Sequence, residues 1–223
     1  MPHLTAEFIA QGLVGYVVLL FSLTVHESAH GWMASRMGDD TAVRMGRVSL
    51  NPLVHIDPIG TFLIPLVQIF GPGHIPLLGW AKPTPVGAHN FRKLAQGHIL
   101  VAGAGPVSNL ALALLFTLLL LVAVRLGMIQ TGNELSFALL RSGITMNVAL
   151  AVFNLVPLPP LDGSWIASWG LPREIANAYD RIAEPYGQWI LLLLFVTGVL
   201  GFILRPLMVL ITGLLYSLVR LFL

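Results

Sequence analysis

Of the 223 residues, 56% are hydrophobic and only 10% are charged, against roughly 25% charged in an ordinary soluble domain. That much apolar surface is more than one core of this size can hide, so much of it is expected to face lipid. A net charge of +2 over twelve scattered Lys and Arg residues excludes a basic nucleic-acid surface, and the lack of cysteine excludes disulfides and thiolate metal sites, leaving His, Asp and Glu as metal ligands.

Met1–Gln11 holds no Lys or Arg, so it lacks the basic start of a secretory signal and is expected to stay in the mature protein. The first apolar stretch runs from about Phe8 through Val25, continues as helix through His26–Met37, and ends at Gly38-Asp39-Asp40. Thr41–Pro58 is polar, and the alternation in Val43–Leu50 predicts a short strand or hairpin. Thr61–Leu78 is apolar but broken by Pro65, Gly71-Pro72-Gly73 and Pro76, which predicts a short or re-entrant element. A loop over Trp80–Lys93 leads to a long helix from about Gln96 to Val124, with Gly103-Ala104-Gly105-Pro106 in its first half. After a turn at Gly127–Glu134, a helix over about Phe137–Leu155 ends in the proline-rich Val156–Gly163. Ser164–Pro185 reads as an amphipathic connection, and the last apolar segments, Gly187–Leu204 and Pro206–Phe222, meet at Arg205-Pro206.

The expected fold is therefore an all-α multi-pass membrane protein. It has about six transmembrane or membrane-embedded helices and a small β hairpin near the site. We read 1–223 as a single domain, with a core over 8–168 and a C-terminal helical pair over 187–223. No Lys or Arg precedes the first span, whereas Arg36, Arg44, Arg47, Lys82, Arg92 and Lys93 lie between it and the long helix. The positive-inside rule puts that connection in the cytoplasm. If Thr61–Leu78 does not cross, the Phe137–Leu155 helix returns inward and delivers Pro157–Gly163 to the depth of His26 and His30. If it crosses, the two segments end on opposite sides.

His26-Glu27-Ser28-Ala29-His30 carries the strongest chemical signal. Helical positions i and i+4 lie one above the other, so both imidazoles can bind one zinc ion. Glu27 points off that line and can reach a water at the metal from the side, as a general base. A chance pattern of this kind usually falls on a soluble surface. Here it continues an apolar span, where ionisable residues are costly and face the protein interior. Two histidines leave a catalytic zinc short of a third protein ligand. Asp162 ends Asn154–Gly163, where prolines stop the helix and Gly163 frees a turn beside the carboxylate. Alone, Asp162-Gly163 reads as an ordinary turn; the parity argument brings it to the histidines.

With these two segments in this order, the chain resembles the site-2 protease family of intramembrane zinc metalloproteases. The family's H-E-x-x-H helix appears as His26–His30, and its N-x-x-P-x-P-x-L-D-G segment as Asn154–Gly163. Gly103–Pro106 followed by Asn109 looks like the family's Gly-Pro element, and Arg47–Gly60 with Gly79–Pro85 looks like compact members lacking PDZ or CBS domains. The resemblance covers about Val18–Ser168 and implies that His26, His30 and Asp162 bind one Zn2+ and that Glu27 is the base. It implies cleavage of transmembrane protein or peptide substrates, in regulated proteolysis or clearance of membrane peptides. The site would then face the cytoplasmic side of a cell (plasma or inner) membrane. Ser164 stands where many members have a second glycine.

Asn154 is a candidate for the substrate backbone or oxyanion, with a structural tie to the proline-rich loop as the alternative. His55 is a candidate for substrate or active-site water, or else a loop hydrogen-bonder. His74, His89 and His98 read as ordinary loop and helix-start residues, and Gly103, Gly105 and Asn109 as helix-packing positions. Val43–Leu50 is expected to offer a strand edge to an unwound substrate. The rival readings are a membrane-protein-binding chain with a structural zinc site, a prenyl-processing type of metalloprotease with a distal Glu ligand, and a transporter. Glu27, the Asn154–Gly163 segment and the lack of internal symmetry weigh against each in turn.

Overall fold

The computed structural model describes residues 6–70, 79–129 and 135–222. Leu-, Val- and Ala-rich stretches with few breakers give the long helices their propensity, and four of them are long and apolar enough to cross a membrane. These are α1 (Ala6–Met37), α4 (Leu94–Arg125), α5 (Leu135–Asn154) and α8 (Val199–Leu221), with the short α2 (Thr41–Arg44) and α3 (Ile64–Phe70) between the first two. α6 (Asp162–Gly170) and α7 (Arg173–Val196) connect α5 to α8. The described residues form an all-helical membrane protein with four candidate spans among them, and the expected count of about six transmembrane or membrane-embedded helices is not supported.

Packing fixes the directions of the helices. Ser22 of α1 bonds Asn147 of α5, and further along the chain in each case His26 and His30 meet Asp162, so α1 and α5 run the same way. Leu120 of α4 and Val219 of α8 pack on Leu140 and Ile144 near the start of α5. At the other end of α5, Val156 packs on Leu200, so α4 and α8 both run opposite to α5. The first motif, on α1, and the second, just past the end of α5, therefore lie at the same end of the bundle. The broken apolar element holds a six-residue π-helical turn, Pro58–Leu63, and the seven-residue α3, short of the roughly 20 residues a helical crossing needs. Its predicted remainder, 71–78, lies outside the described residues.

Two expectations change. No strand is present among the described residues, so the Val43–Leu50 hairpin is not formed. Val43 falls in α2, whose backbone bonds are local: Arg44 N–H to the Asp40 carbonyl at 2.9 Å and Met45 N–H to Thr41 at 3.1 Å. Gly46 turns the chain at φ +66°, and the Arg47 side chain ties the segment to the Lys82 carbonyl at 2.5 Å. The apolar members of that alternation, Val43, Met45, Val48 and Leu50, are all exposed and share no buried face. The C-terminal helices also divide elsewhere. α8 runs straight through Pro206, and the break comes at Gly198, whose φ of +75° suits glycine. The amphipathic connection expected over Ser164–Pro185 is helical, made of α6 and the first half of α7.

Candidate active site

On α1, His26 and His30 lie one helical turn apart with their Nε2 atoms 3.0 Å from each other. Asp162, the first residue of α6, brings Oδ2 to 3.2 Å from His26 Nε2 and Oδ1 to 3.4 Å from His30 Nε2. A carboxylate oxygen of Glu27 lies within 4.8 Å of both imidazole ligand atoms. The four residues line one cavity of about 500 Å³, together with Asn154, Thr84 and Trp80.

The ring tautomers follow from the second nitrogens. His26 Nδ1 donates to Asn109 Oδ1 at 2.7 Å, and His30 Nδ1 donates to the Val101 carbonyl at 2.7 Å. Each neutral imidazole then presents a bare lone pair at Nε2. Two such lone pairs at 3.0 Å cannot bond each other, and Asp162 Oδ2 is buried with no hydrogen-bond partner. This donor set is repulsive without a cation at its centre. Two ligands about 2.0–2.1 Å from one tetrahedral ion stand roughly 3.3 Å apart, close to the spacings found. The residues fit a zinc ion.

The surroundings are built around this cluster. Asn109 is fully buried; its Nδ2 donates to Asn147 Oδ1 at 2.8 Å, and Asn147 Nδ2 donates to Ser22 Oγ at 2.9 Å. A polar chain thus joins α4, α5 and α1 behind His26. A Cβ on Gly105 would stand 2.5 Å from His26 Cε1 and from His30 Nε2, so only glycine lets α4 approach the imidazoles. Glu27 Oε2 accepts a 2.7 Å hydrogen bond from Thr84 N–H, and Thr84 Oγ1 donates to the Glu27 carbonyl at 2.9 Å. On the far side of the cavity His98 stacks on Trp169 at 4.3 Å and on Trp165 at 5.2 Å, one turn beyond Asp162.

Asn154 lines the cavity, and its amide donates to the Leu150 carbonyl at 2.9 Å. His55 is not brought there. It is buried behind α1, donating from Nε2 to the Ser49 carbonyl at 3.0 Å beside Ser28 Oγ, and burial pushes its pKa down. Its own carbonyl accepts from Lys82 N–H at 2.8 Å, holding the Lys82–Pro85 stretch near Glu27. Asp39, buried past the end of α1, anchors the same loop through Gly87 N–H at 2.6 Å and Asn90 Nδ2 at 2.8 Å. Burial opposes its ionisation, yet bonds from Thr41, Asn90 and Gly87 hold its pKa below the usual carboxylate value. His89 sits in a 3-10 turn, and His74 lies outside the described residues.

Sequence reasoning missed the parts played by Thr84, Asn109, Asn147 and Ser22. Asn109 and Ser22 offered one usable sign, a polar residue inside an apolar span, and Asn147 the same on the shorter α5. Thr84, in a loop, offered none.

Among known proteins, the chain is 41% identical over 197 residues to a Bacillus subtilis protein named "Putative zinc metalloprotease YwhC", covering 86% of this chain and 84% of that one. It is 31% identical over 186 residues to Rip2 of Mycolicibacterium smegmatis, covering 82% of this chain and 66% of Rip2. It is 29% identical over 195 residues to Rip3 of Mycobacterium tuberculosis, covering 86% of this chain and 40% of Rip3. Rip2 and Rip3 carry the same zinc-metalloprotease designation. No family model and no solved structure matches the chain.

Proposed function

Since the chain belongs to the zinc metalloproteases of the site-2 protease family, we propose that it hydrolyses peptide bonds of transmembrane substrates, with His26, His30 and Asp162 holding the ion and Glu27 as general base. The observation that carries this reading is the convergence of two imidazole Nε2 atoms and the Asp162 carboxylate, whose Oδ2 has no hydrogen-bond partner. The ion, when bound, supplies Lewis acidity, polarising a peptide carbonyl and making water more acidic.

The chain's own residues do the rest. Asn109 and the Val101 carbonyl fix which nitrogen of each ring faces the cavity. Glu27, steadied by Thr84, takes the proton from water as it adds to the carbonyl. It then returns that proton to the leaving amine nitrogen. Asn154 spends one N–H on Leu150, which leaves its second N–H and its Oδ1 to a bound peptide. A helical substrate must unwind before its amide reaches this centre. Pro83 and Pro85 bias Lys82 and Thr84 to extended backbone along the cavity wall, a surface against which the unwound stretch lies.

The basic residues between α1 and α4 support an orientation in the cell membrane with the motif end of the bundle toward the cytoplasm. The test is cleavage of a transmembrane peptide by the purified chain in lipid vesicles. Cleavage by wild type and none by Glu27→Gln at equal zinc content supports the reading. Equal cleavage by both variants would overturn it.

A further inference from the structure

Three chemically distinct faces run along residues 173–188 of α7. Toward the protein it turns Ala176, Ala183 and Gly187, all buried. A Cβ on Gly187 would stand 2.5 Å from Pro159 Cδ, and Tyr179 OH donates to the Pro157 carbonyl at 3.0 Å. Most of the remaining surface is exposed, and as far as Gln188 it is sorted; beyond Gln188, Leu192 and Phe195 are exposed away from the stripe as well. At about 100° per residue, Ile175, Ile182, Tyr186, Trp189, Leu193 and Val196 fall within about 40° of one line, spaced seven, four, three, four and three residues apart. All six are exposed, Trp189 to 68% and Val196 to 74%. Glu174, Asn177, Arg181, Glu184 and Gln188, also exposed, gather about 120° away from that line.

Over residues 174–188 the exposed surface divides into an apolar stripe and a charged stripe, which suits a boundary between two media, and the last two turns are apolar on both sides. Chain continuity says which boundary. Only Thr197 and Gly198 separate Val196 from Val199, the first residue of the candidate span α8. The apolar stripe thus ends where the chain enters the bilayer. At 24 residues α7 has the length for a crossing, yet it is not among the helices apolar enough to make one. Tyr186 and Trp189 supply the amphipathic rings that favour the headgroup level.

We propose that α7 lies in the membrane interface, with the Ile175–Val196 stripe in the acyl boundary and the Arg181 face in water. It does not cross the bilayer. Because α7 rests on Pro157 and Pro159, its lipid contact also braces the loop that leads into Asp162.

The chain has no cysteine, so single cysteines can be placed and spin-labelled without background. The full chain, labelled in turn at Ile182, Trp189, Val196, Arg181, Glu184 and Gln188, is reconstituted into phosphatidylcholine–phosphatidylglycerol vesicles, with Leu210 of α8 as the lipid benchmark. Oxygen and a water-soluble nickel chelate then report on each position. The proposal expects an oxygen-to-nickel accessibility ratio at Ile182, Trp189 and Val196 near that of Leu210 and several-fold above that of the other three. Equal, nickel-dominated access at all six would overturn it, as would oxygen-dominated access at all six, the mark of a crossing helix. Stripe positions shielded from both reagents, with spin–spin broadening, would assign the stripe to a second copy of the chain and overturn it too.

Discussion

Asn109 Oδ1 stands 2.7 Å from His26 Nδ1, and this contact decides which nitrogen His26 offers to the cavity. Outer-shell partners of this kind change metal affinity about 10–100-fold when removed. Asn109→Ala should weaken zinc binding by that factor, measured by competition with a chelator, while Asn109→Asp, which keeps the acceptor, should retain most of it. Equal affinity in wild type and Asn109→Ala would separate the network from the metal.

Gly105→Ala tests the close approach of α4 to the imidazoles. In an ordinary helix this change stabilises by roughly 0.5–1 kcal/mol. Here the new methyl would lie 2.5 Å from both rings. The variant should fold, by circular dichroism, but lose most of its zinc. Full zinc occupancy would show that α4 can shift without cost to the site.

For Glu27, a general base typically contributes about 10²–10⁴-fold. Glu27→Gln should lower kcat by that order with zinc unchanged. Thr84→Val keeps the backbone N–H that holds Glu27 Oε2 and removes only the hydroxyl. It should cost far less than Glu27→Gln in the same cleavage assay.

Asp39 gives a pH prediction with a definite sign. Its folded pKa lies below the ordinary value of about 3.9. Its contribution is therefore fully present above that value and is lost as pH falls through the folded pKa. A hydrogen bond to a charged group contributes about 1.5–3 kcal/mol, so Asp39→Asn should lower thermal stability at neutral pH, and the gap should close in acid. A gap independent of pH would mean that the carboxylate charge is not what holds Gly87 and Asn90.

The site was more legible in the sequence than the fold around it. His26, Glu27 and His30 stand out because ionisable groups continuing an apolar span need partners, whereas Asp162, which the structure brings to the two imidazoles, reads alone as a turn and needed the helix parity. The long helices α1, α4 and α5 were legible as apolar stretches with clear breaks. Val43–Leu50 misled because Val43, Met45, Val48 and Leu50 alternate in sequence yet are exposed around a one-turn helix and the turn at Gly46. Pro206 misled because a proline inside a membrane helix is tolerated, while the actual break at Gly198 needed only a glycine with positive φ. His55 looked close to the site because it is close in sequence, but its bonds to Ser49 hold it behind α1. The Thr84 contact joins residues 57 positions apart through a loop, and no local pattern encodes it.

The most direct test of the account is the zinc content and affinity of four purified chains: wild type, His26→Ala, Asp162→Ala and Glu27→Gln. The account predicts one zinc per chain in wild type and Glu27→Gln, none retained in His26→Ala, and strongly weakened binding in Asp162→Ala. Wild-type affinity in Asp162→Ala would contradict it, because the carboxylate that α6 brings to the two imidazoles would then not be a ligand.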